Sequence, residues 1–362
     1  MSVNKKIIES EATPPADPQF TVYSNQSNST AGGTLNNIGF QPDFSIHSSV
    51  TRASHFVDTF NSSLDSPTSL KLLRTNSTGA FGSALGYQYL STNGGSFNIP
   101  SGITSFNNGG EQNIHFFFKG NAGTTSTNTD GTLTSTVQVN QTAGFSIVEW
   151  TGTQNNQTIG HGLNSAPKLI ICKNDFAAGW PTLFIGSSTS YRYYGLRLNN
   201  NQANNAGNGT IFFQNFQPSS TLFKVGANDE NNKSDVACIA FCFTEIAGFS
   251  KISSYNGNGS STGPTVTTGF EPKFIMIKAA NATGSWRIFD AARNSSNSRT
   301  NSITTNLFTA QSTTDGSVDF NSTSFQIKSS SSEVNASGVT YLYWVIGGDD
   351  TNAINCVPNF SN

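Results

Sequence analysis

Residues 143–247 and 248–349 of this chain carry one pattern written twice. Gly144-Phe145-Ser146-Ile147 returns as Gly248-Phe249-Ser250-Lys251, and Trp150-Thr151-Gly152 returns as Tyr255-Asn256-Gly257. Gly162 to Lys173, through Pro167, matches Gly269 to Lys278, through Pro272. A looser copy lies upstream, where Gly39-Phe40-Gln41-Pro42-Asp43-Phe44 echoes Gly269 to Phe274. Its His55-Phe56-Val57-Asp58 is aligned with Arg287 to Asp290, which places Asp58 on Asp290 and loses the tryptophan near His55. Each copy closes on an aromatic strand: Ile114 to Phe118, Ala237 to Phe243, and Tyr341 to Val345. A repeat at this spacing means one supersecondary unit used three times.

Within a copy, short apolar runs alternate with Gly, Asn, Ser and Thr clusters, the spacing of an all-β sandwich or barrel. The run Pro167 to Lys173 is continuous and apolar, as in a strand covered on both faces. Gly269, before the matching run of the next copy, suits a turn that needs positive φ. The expected fold is therefore all-β, with three tandem antiparallel β-sandwich, jelly-roll-like units. The expected division is an N-terminal arm over 1–19, a divergent unit over 20–120 and a polar spacer over 121–142. Units follow over 143–247 and 248–349, and a C-terminal tail over 350–362.

Composition narrows the function classes. Charged residues are 11%, against the usual ~25%, so charge-rich helices and coiled coils are excluded. Nineteen basic residues against 21 acidic ones leave no surplus for nucleic acid. The 28 Phe, 9 Tyr and 4 Trp exclude a disordered chain. No stretch reaches the ~20 apolar residues of a membrane span, and the polar start Met1 to Glu9 does not read as a signal peptide. The expectation is therefore a chain made and used inside a cell, with no membrane insertion.

The chemistry-bearing residues are sparse. Cys238 and Cys242 sit four apart in one apolar run and read as buried free thiols facing one side; Cys172 and Cys356 are the other two cysteines. No cysteine pattern fits a metal, and none is expected. The histidines are His47, His55, His115 and His161; His161, in the turn Gly160-His161-Gly162, is read as structural or solvent-facing. His55 and Asp58 would point to opposite faces of a strand. Asp229-Glu230 and Asp349-Asp350 lie in polar loops and read as solvated acids, not as a calcium or glycosidase pair. Gly257 to Gly263 lacks the lysine of a phosphate loop and reads as a flexible hairpin loop. The binding or interface candidates are Tyr191, Arg192, Tyr193 and Tyr194, since Tyr and Arg are over-represented at hot spots. No catalytic residue and no cofactor are expected.

Gly144 to Val148, then Gly160-His161-Gly162-Leu163, then Ala166 to Lys173, then Trp180, resembles a repeat domain of marine cyanophage virion proteins, described as tail-fibre-like or structural. The third copy carries Gly-Phe-x-Pro-x-Phe-x-x-x-Lys from Gly269 to Lys278, then Trp286, Phe289-Asp290, Ala292-Arg293 and the closing segment Val334 to Tyr343. The resemblance covers 143–349 well and 20–120 weakly. It implies a virion component assembled in the host cytoplasm, not an enzyme. The expected role is a tail fibre or tail-associated appendage that meets other virion proteins and copies of itself, with a trimer as one such assembly. Host surface polysaccharide is a further expected partner. The alternatives are a capsid decoration protein and a lectin-like receptor binder.

Overall fold

The computed structural model describes residues 18–26, 33–53, 57–62, 70–84, 87–92, 94–100, 110–176, 178–186, 194–204 and 206–348. The first unit holds β1 (Phe20–Gln26), β2 (Gly33–Leu35), β3 (Phe44–Ser49), β4 (Asp58–Asn61), β5 (Leu70–Arg74), β6 (Gly82–Ala84), β7 (Gln88–Leu90), β8 (Ser96–Ile99) and β9 (Gln112–Phe118). The second holds β10 (Ser126–Asn128), β11 (Ser135–Asn140), β12 (Phe145–Thr151), β13 (Gln157–Gly160), β14 (Leu169–Asn174), β15 (Pro181–Phe184) and β16 (Tyr194–Arg197). It continues with the helix α1 (Ala206–Phe213), β17 (Leu222–Val225) and β18 (Ala237–Phe243). The third holds β19 (Ser250–Asn256), β20 (Thr265–Thr267), β21 (Phe274–Ala279), β22 (Arg287–Asp290), β23 (Ile303–Thr304), β24 (Val318–Asn321), β25 (Ser324–Ile327) and β26 (Thr340–Ile346).

The all-β reading holds, and the pairing scheme recurs three times. The large sheets run β1-β9-β3-β4-β5-β6, β10-β11-β12-β18-β14-β15-β16 and β19-β26-β21-β22-β23. In each, the closing strand lies between the first strand and the strand after the Pro motif, and every named strand pair is antiparallel. Small sheets β2-β8-β7, β13-β17 and β20-β25-β24 accompany them. The turn glycines Gly39, Gly162 and Gly269 all take positive φ, at 96°, 73° and 88°. A side chain is strained in that region, which is why the motif keeps Gly there.

Each closing strand is buried on both faces, because each face has its own core. In β18, Cys238, Ala240 and Cys242 enter a local core with Phe223 and Val225 of the small sheet. Ile239, Phe241 and Phe243 enter a different core, shared with Ile114, Phe116 and Phe118 of β9 and Leu342, Trp344 and Ile346 of β26. The first and third units have local cores of their own. The three large sheets therefore turn their inner faces toward one another. Phe44 stacks on Phe241 at 4.2 Å, Phe243 meets Trp344 at 4.4 Å, and Phe116 meets Phe274 at 5.2 Å. Each contact joins two different units. The sequence suggested three bricks in a row; the rings join them around a common centre instead. Each buried ring removes ~150–250 Å² from water, so a low apolar fraction still fills this core.

Three further differences from the sequence reading are local. The stretch 121–142 is not only a spacer: β10 and β11 lie in it, and β11 pairs with β12. The pairing Phe44↔Asn61 and Phe274↔Asp290 puts Asn61, not Asp58, in the place of Asp290; Asp58 stands where Arg287 does. Val57 then occupies the position of Trp180 and Trp286, one residue before β4, β15 and β22. Finally, Phe145 faces Phe243 whereas Ser250 faces Ile346, so the Gly-Phe-Ser match is one residue out of strand register. Most of the N-terminal arm and the whole of the tail over 350–362 lie outside the described residues.

Candidate functional site

Tyr191, Arg192 and Tyr193 lie outside the described residues. Tyr194 opens β16, opposite Phe184, on the last strand of the seven-stranded sheet. His55, Asp349, Asp350 and Cys356 also lie outside them. Of the acids in loops, Asp229 pairs with Lys233 at 3.3 Å. Glu230 holds Arg197 through two bonds, at 2.7 and 2.5 Å. These are ion pairs rather than free solvated acids. Cys238 and Cys242 are buried free thiols, as expected, and so is Cys172. Burial pushes the Cys238 thiol up to about 12 and raises Cys172 and Cys242 as well, so none is a nucleophile as placed. His161 is buried; its Nδ1 accepts from the Leu163 amide at 3.1 Å and its Nε2 donates to the Ser219 carbonyl at 3.2 Å. It clamps a turn. The loop Gly257 to Gly263 is tied down by Asn335, whose amide nitrogen reaches Asn258 Oδ1 at 2.9 Å and the Ser260 carbonyl at 2.8 Å.

Two repeat-equivalent lysines are buried. Lys173 Nζ donates to the carbonyls of Phe176 at 2.9 Å and Ala178 at 3.1 Å; Lys278 Nζ donates to that of Ala279 at 2.7 Å. Burial pulls both down to about 8. Ser48 holds this position in the first unit, set by the same register count from Phe44. Another triplet is the residue before the strand that follows the Pro motif; its first two members, Asp43 and Lys168, grip the connection to the next unit, and the third, Lys273, pairs locally. Asp43 accepts from the amides of Gly120 at 2.8 Å, Ala122 at 3.0 Å and Gly123 at 2.7 Å. Lys168 pairs with Glu245, and Lys273 pairs with Glu271 at 3.3 Å.

Among the described residues, a row of buried titratable groups that includes two imidazoles belongs to the first unit. Strand register lines up Tyr23↔His115, His115↔His47, His47↔Asp58 and Asp58↔Arg74 across β1, β9, β3, β4 and β5. His47 and His115 are fully buried, and Asp58 is 1% exposed. Their Nδ1 atoms lie 2.6 Å apart. His47 Nε2 lies 2.5 Å from Ser45 Oγ, which lies 2.5 Å from Tyr89 Oη. The Tyr89 hydroxyl donates to the Phe60 carbonyl at 3.0 Å. One proton arrangement satisfies the whole chain. His115 Nδ1–H donates to His47 Nδ1, and His47 Nε2–H donates to Ser45. Ser45 donates to Tyr89, and Tyr89 to the backbone. A proton added at His47 Nδ1 would meet the His115 N–H head on.

The physical setting keeps both rings neutral. Burial, and then the neighbouring His115, holds His47 well below its ordinary value; burial pulls His115 down to about 3. Arg74 Nε reaches Asp58 Oδ1 at 3.1 Å, so the carboxylate in the row has a cation of its own. Ser45 beside His47 has the outline of a nucleophile with its base. The hydroxyl is fully buried beneath Tyr89, however, and Phe97 stacks on His47 at 4.6 Å. As built, the chain is a closed polar network inside the first local core. The sequence showed all four histidines, but His47 and His115 are brought together only by strand pairing. The one available signal was that both sit in apolar strands of the divergent copy.

Residues 18–347 match a family described as a domain of unknown function (DUF7483). The chain belongs to this family. The matched stretch takes in all three units, so the family's domain corresponds to the whole three-sheet body and not to one repeat. No curated protein matches the chain.

Among the described residues, the end of the body where the closing strands finish carries a crevice. Phe20, Phe118, Phe145, Phe243, Phe249 and Trp344 from all three units line it, with Gln19 and Lys119 at its side. A polar bowl of about 360 Å³, formed by Lys119, Asn121, Asn140 and Gln141 among others, adjoins it. No group of three or more His, Cys, Asp or Glu among the described residues could hold a metal.

Proposed function

We propose that this member of the family is a non-enzymatic virion structural protein, a tail fibre or tail-associated appendage. The observation that carries the reading is the shared aromatic core. It joins three copies of one sheet arrangement into a single body, and among the described residues buried rings fill the space between the large sheets. The buried ionisable groups discussed above serve internal contacts, which suits a building element better than a reaction site. The sequence resemblance supplies the particle. In this reading the last strands of the large sheets, β6, β16 and β23, meet other virion proteins or copies of the chain. The Tyr191 to Tyr194 segment contributes where it runs into β16. A trimer of such bodies and contact with host surface polysaccharide belong to the same proposal, and no cofactor is required.

The compact arrangement favours one second reading, decoration of a capsid surface, because every described strand belongs to the body and none forms a shaft. Mass spectrometry of purified particles, with antibody-labelled electron microscopy, tests both. Labelling at the tail supports the first, labelling over the capsid the second. Absence of the chain from the particle rejects both.

A further inference from the structure

The row Tyr23–His115–His47–Asp58–Arg74 has no counterpart in the sister units. At the same register the second unit carries Val148, Ala240 and Cys172. The third carries Ser253, Tyr343, Ile277, Arg287 and Thr304. Neither has an imidazole. A repeat that is apolar here in one copy and imidazole-bearing in another has acquired a property its sisters lack.

We propose that this row is a proton-operated latch: in acid the small sheet β2-β8-β7 lifts from the outer face of the first unit, while the other two units stay shut. The small sheet covers the imidazoles and keeps both rings fully buried, where charging them is costly. Tyr89 of β7 depends on the hydrogen-bond chain through Ser45 to His47. Phe97 of β8 lies flat on the His47 ring, with 21° between the planes. Phe97 and Tyr89 also belong to the local core with Phe60 and Phe117, so the imidazoles have no water beside them.

The charged groups of the row are already engaged with each other. Tyr23 approaches His115 edge-on from β1, with ring centroids 6.4 Å apart. Ser45 on β3 and Tyr89 on β7 are neutral hydroxyls, and Tyr87 precedes β7. Asp58 on β4 is the one carboxylate in the row, and it is paired with Arg74 of β5. Asp43, at the start of β3, is occupied by the amides of Gly120, Ala122 and Gly123. A proton on either ring is therefore accommodated best once the sheet has lifted and water reaches it.

The expected size follows from linkage. Two imidazoles that charge only in the open state, with an ordinary value near 6.5, raise the opening equilibrium about 600-fold between pH 7 and pH 5. The shared core on the inner face of the same sheet is apolar and gains nothing from protons, so the outer face opens alone. This inference does not depend on the virion reading.

Hydrogen exchange of the full chain at pH 7 and pH 5, corrected for the intrinsic rate, is the test. The expected result is acceleration of more than about tenfold in amides of Gln88 to Ile99. Leu222 to Val225 and Val318 to Ile327 should be unchanged, and H47Q/H115Q should flatten the response. Equal acceleration in all three units, or none in the first, overturns the proposal. So does acceleration that persists in the double variant. Should that variant not fold, imidazole carbon NMR of the unaltered protein decides the matter. Charging of His47 and His115 in step with exchange supports the latch, and charging near 6.5 without exchange overturns it.

Discussion

The indole nitrogen of Trp286 donates to the main-chain carbonyl of Arg197 at 3.1 Å, reaching back into the preceding unit. Trp180 does the same to Arg74 at 3.1 Å. The first unit has Val57 in this position and closes the circle differently. Thr75 Oγ1 donates to the Thr305 carbonyl at 2.7 Å, and Thr305 Oγ1 donates to that of Leu198 at 3.3 Å. Beside this ring, Asn76, Asn199 and Asn306 each accept from the amide of Val57, Trp180 or Trp286 at 3.0–3.1 Å. First touches third, third touches second, and second touches first.

A closed ring above a shared core should unfold as one. At neutral pH we expect circular dichroism, tryptophan fluorescence and calorimetry to report one coincident transition. Trp286→Ala should lower stability by about 3–5 kcal/mol, the range for a large aromatic removed from a core. Separate melting of the three units would show that the rings touch without coupling.

Asp43 bears on the join between the first unit and β10. Its carboxylate takes three loop amides and the Ser62 hydroxyl, the last at 2.8 Å. Burial raises its pKa, and those four donors pull the other way. Asp43→Ala leaves the donors facing an apolar methyl. The expected loss is about 2–4 kcal/mol in chemical denaturation, with proteolysis at Gly120 to Gly123 rising first. A loss under about 0.5 kcal/mol would mean that water replaces the carboxylate without penalty.

Lys173 and Lys278 set an alkaline signature. Each is about 8 in the folded protein and ~10.4 in an unfolded chain. Between those values the unfolded state holds the proton that the folded state has lost. The lysines' contribution therefore rises with pH across this window, by up to about 3 kcal/mol per lysine. The buried thiols Cys172, Cys238 and Cys242 and tyrosines such as Tyr343 work the other way, because burial raises them in the folded protein while free thiols ionise at ~8.5 and free tyrosine at ~10. The lysine effect is therefore read as the difference between the native protein and K173M/K278M over about pH 8 to 10. Denaturant midpoints should fall less steeply with pH there in the native protein than in K173M/K278M.

The sequence displayed what is local and hid what register creates. Gly269 announced its turn because glycine takes positive φ without a side-chain penalty, and Gly39 and Gly162 share that conformation. Cys238 and Cys242 announced a common face because a strand has a period of two. The shared core was written only indirectly, in the unbroken apolar run Ala237 to Phe243. Such a run says that both faces are covered without saying by what. Ser135 to Asn140 escaped notice because its alternation is carried by Thr, Val and Gln, which read as spacer. Asp58 was set against Asp290 because both follow an aromatic-aliphatic pair; only the β3–β4 pairing corrects it. His47 and His115 are 68 positions apart, and only the register of β3 against β9 makes them neighbours.

Asn335 offers the sharpest chemical test among the loops. Its Oδ1 accepts from the Asn258 amide at 2.9 Å, while its nitrogen faces Asn258 Oδ1 and the carbonyls of Ser260 and Ser329, all within 2.9 Å. In the second unit Asn232 plays the same part: its Oδ1 accepts from the Thr153 amide and the Trp150 indole, and its nitrogen donates to the Asn155 carbonyl. Asn335→Ala removes the clamp and should cost about 2–3 kcal/mol. Asn335→Asp keeps size and acceptor but turns an oxygen, and a negative charge, toward three oxygens. It should therefore cost more than alanine, by at least about 1 kcal/mol, because a buried charge facing acceptors is worse than a gap. The order Asp below Ala is the readout, and it should recur at Asn232. If aspartate proved the milder change, the side chain would be filling space there rather than tying the loop.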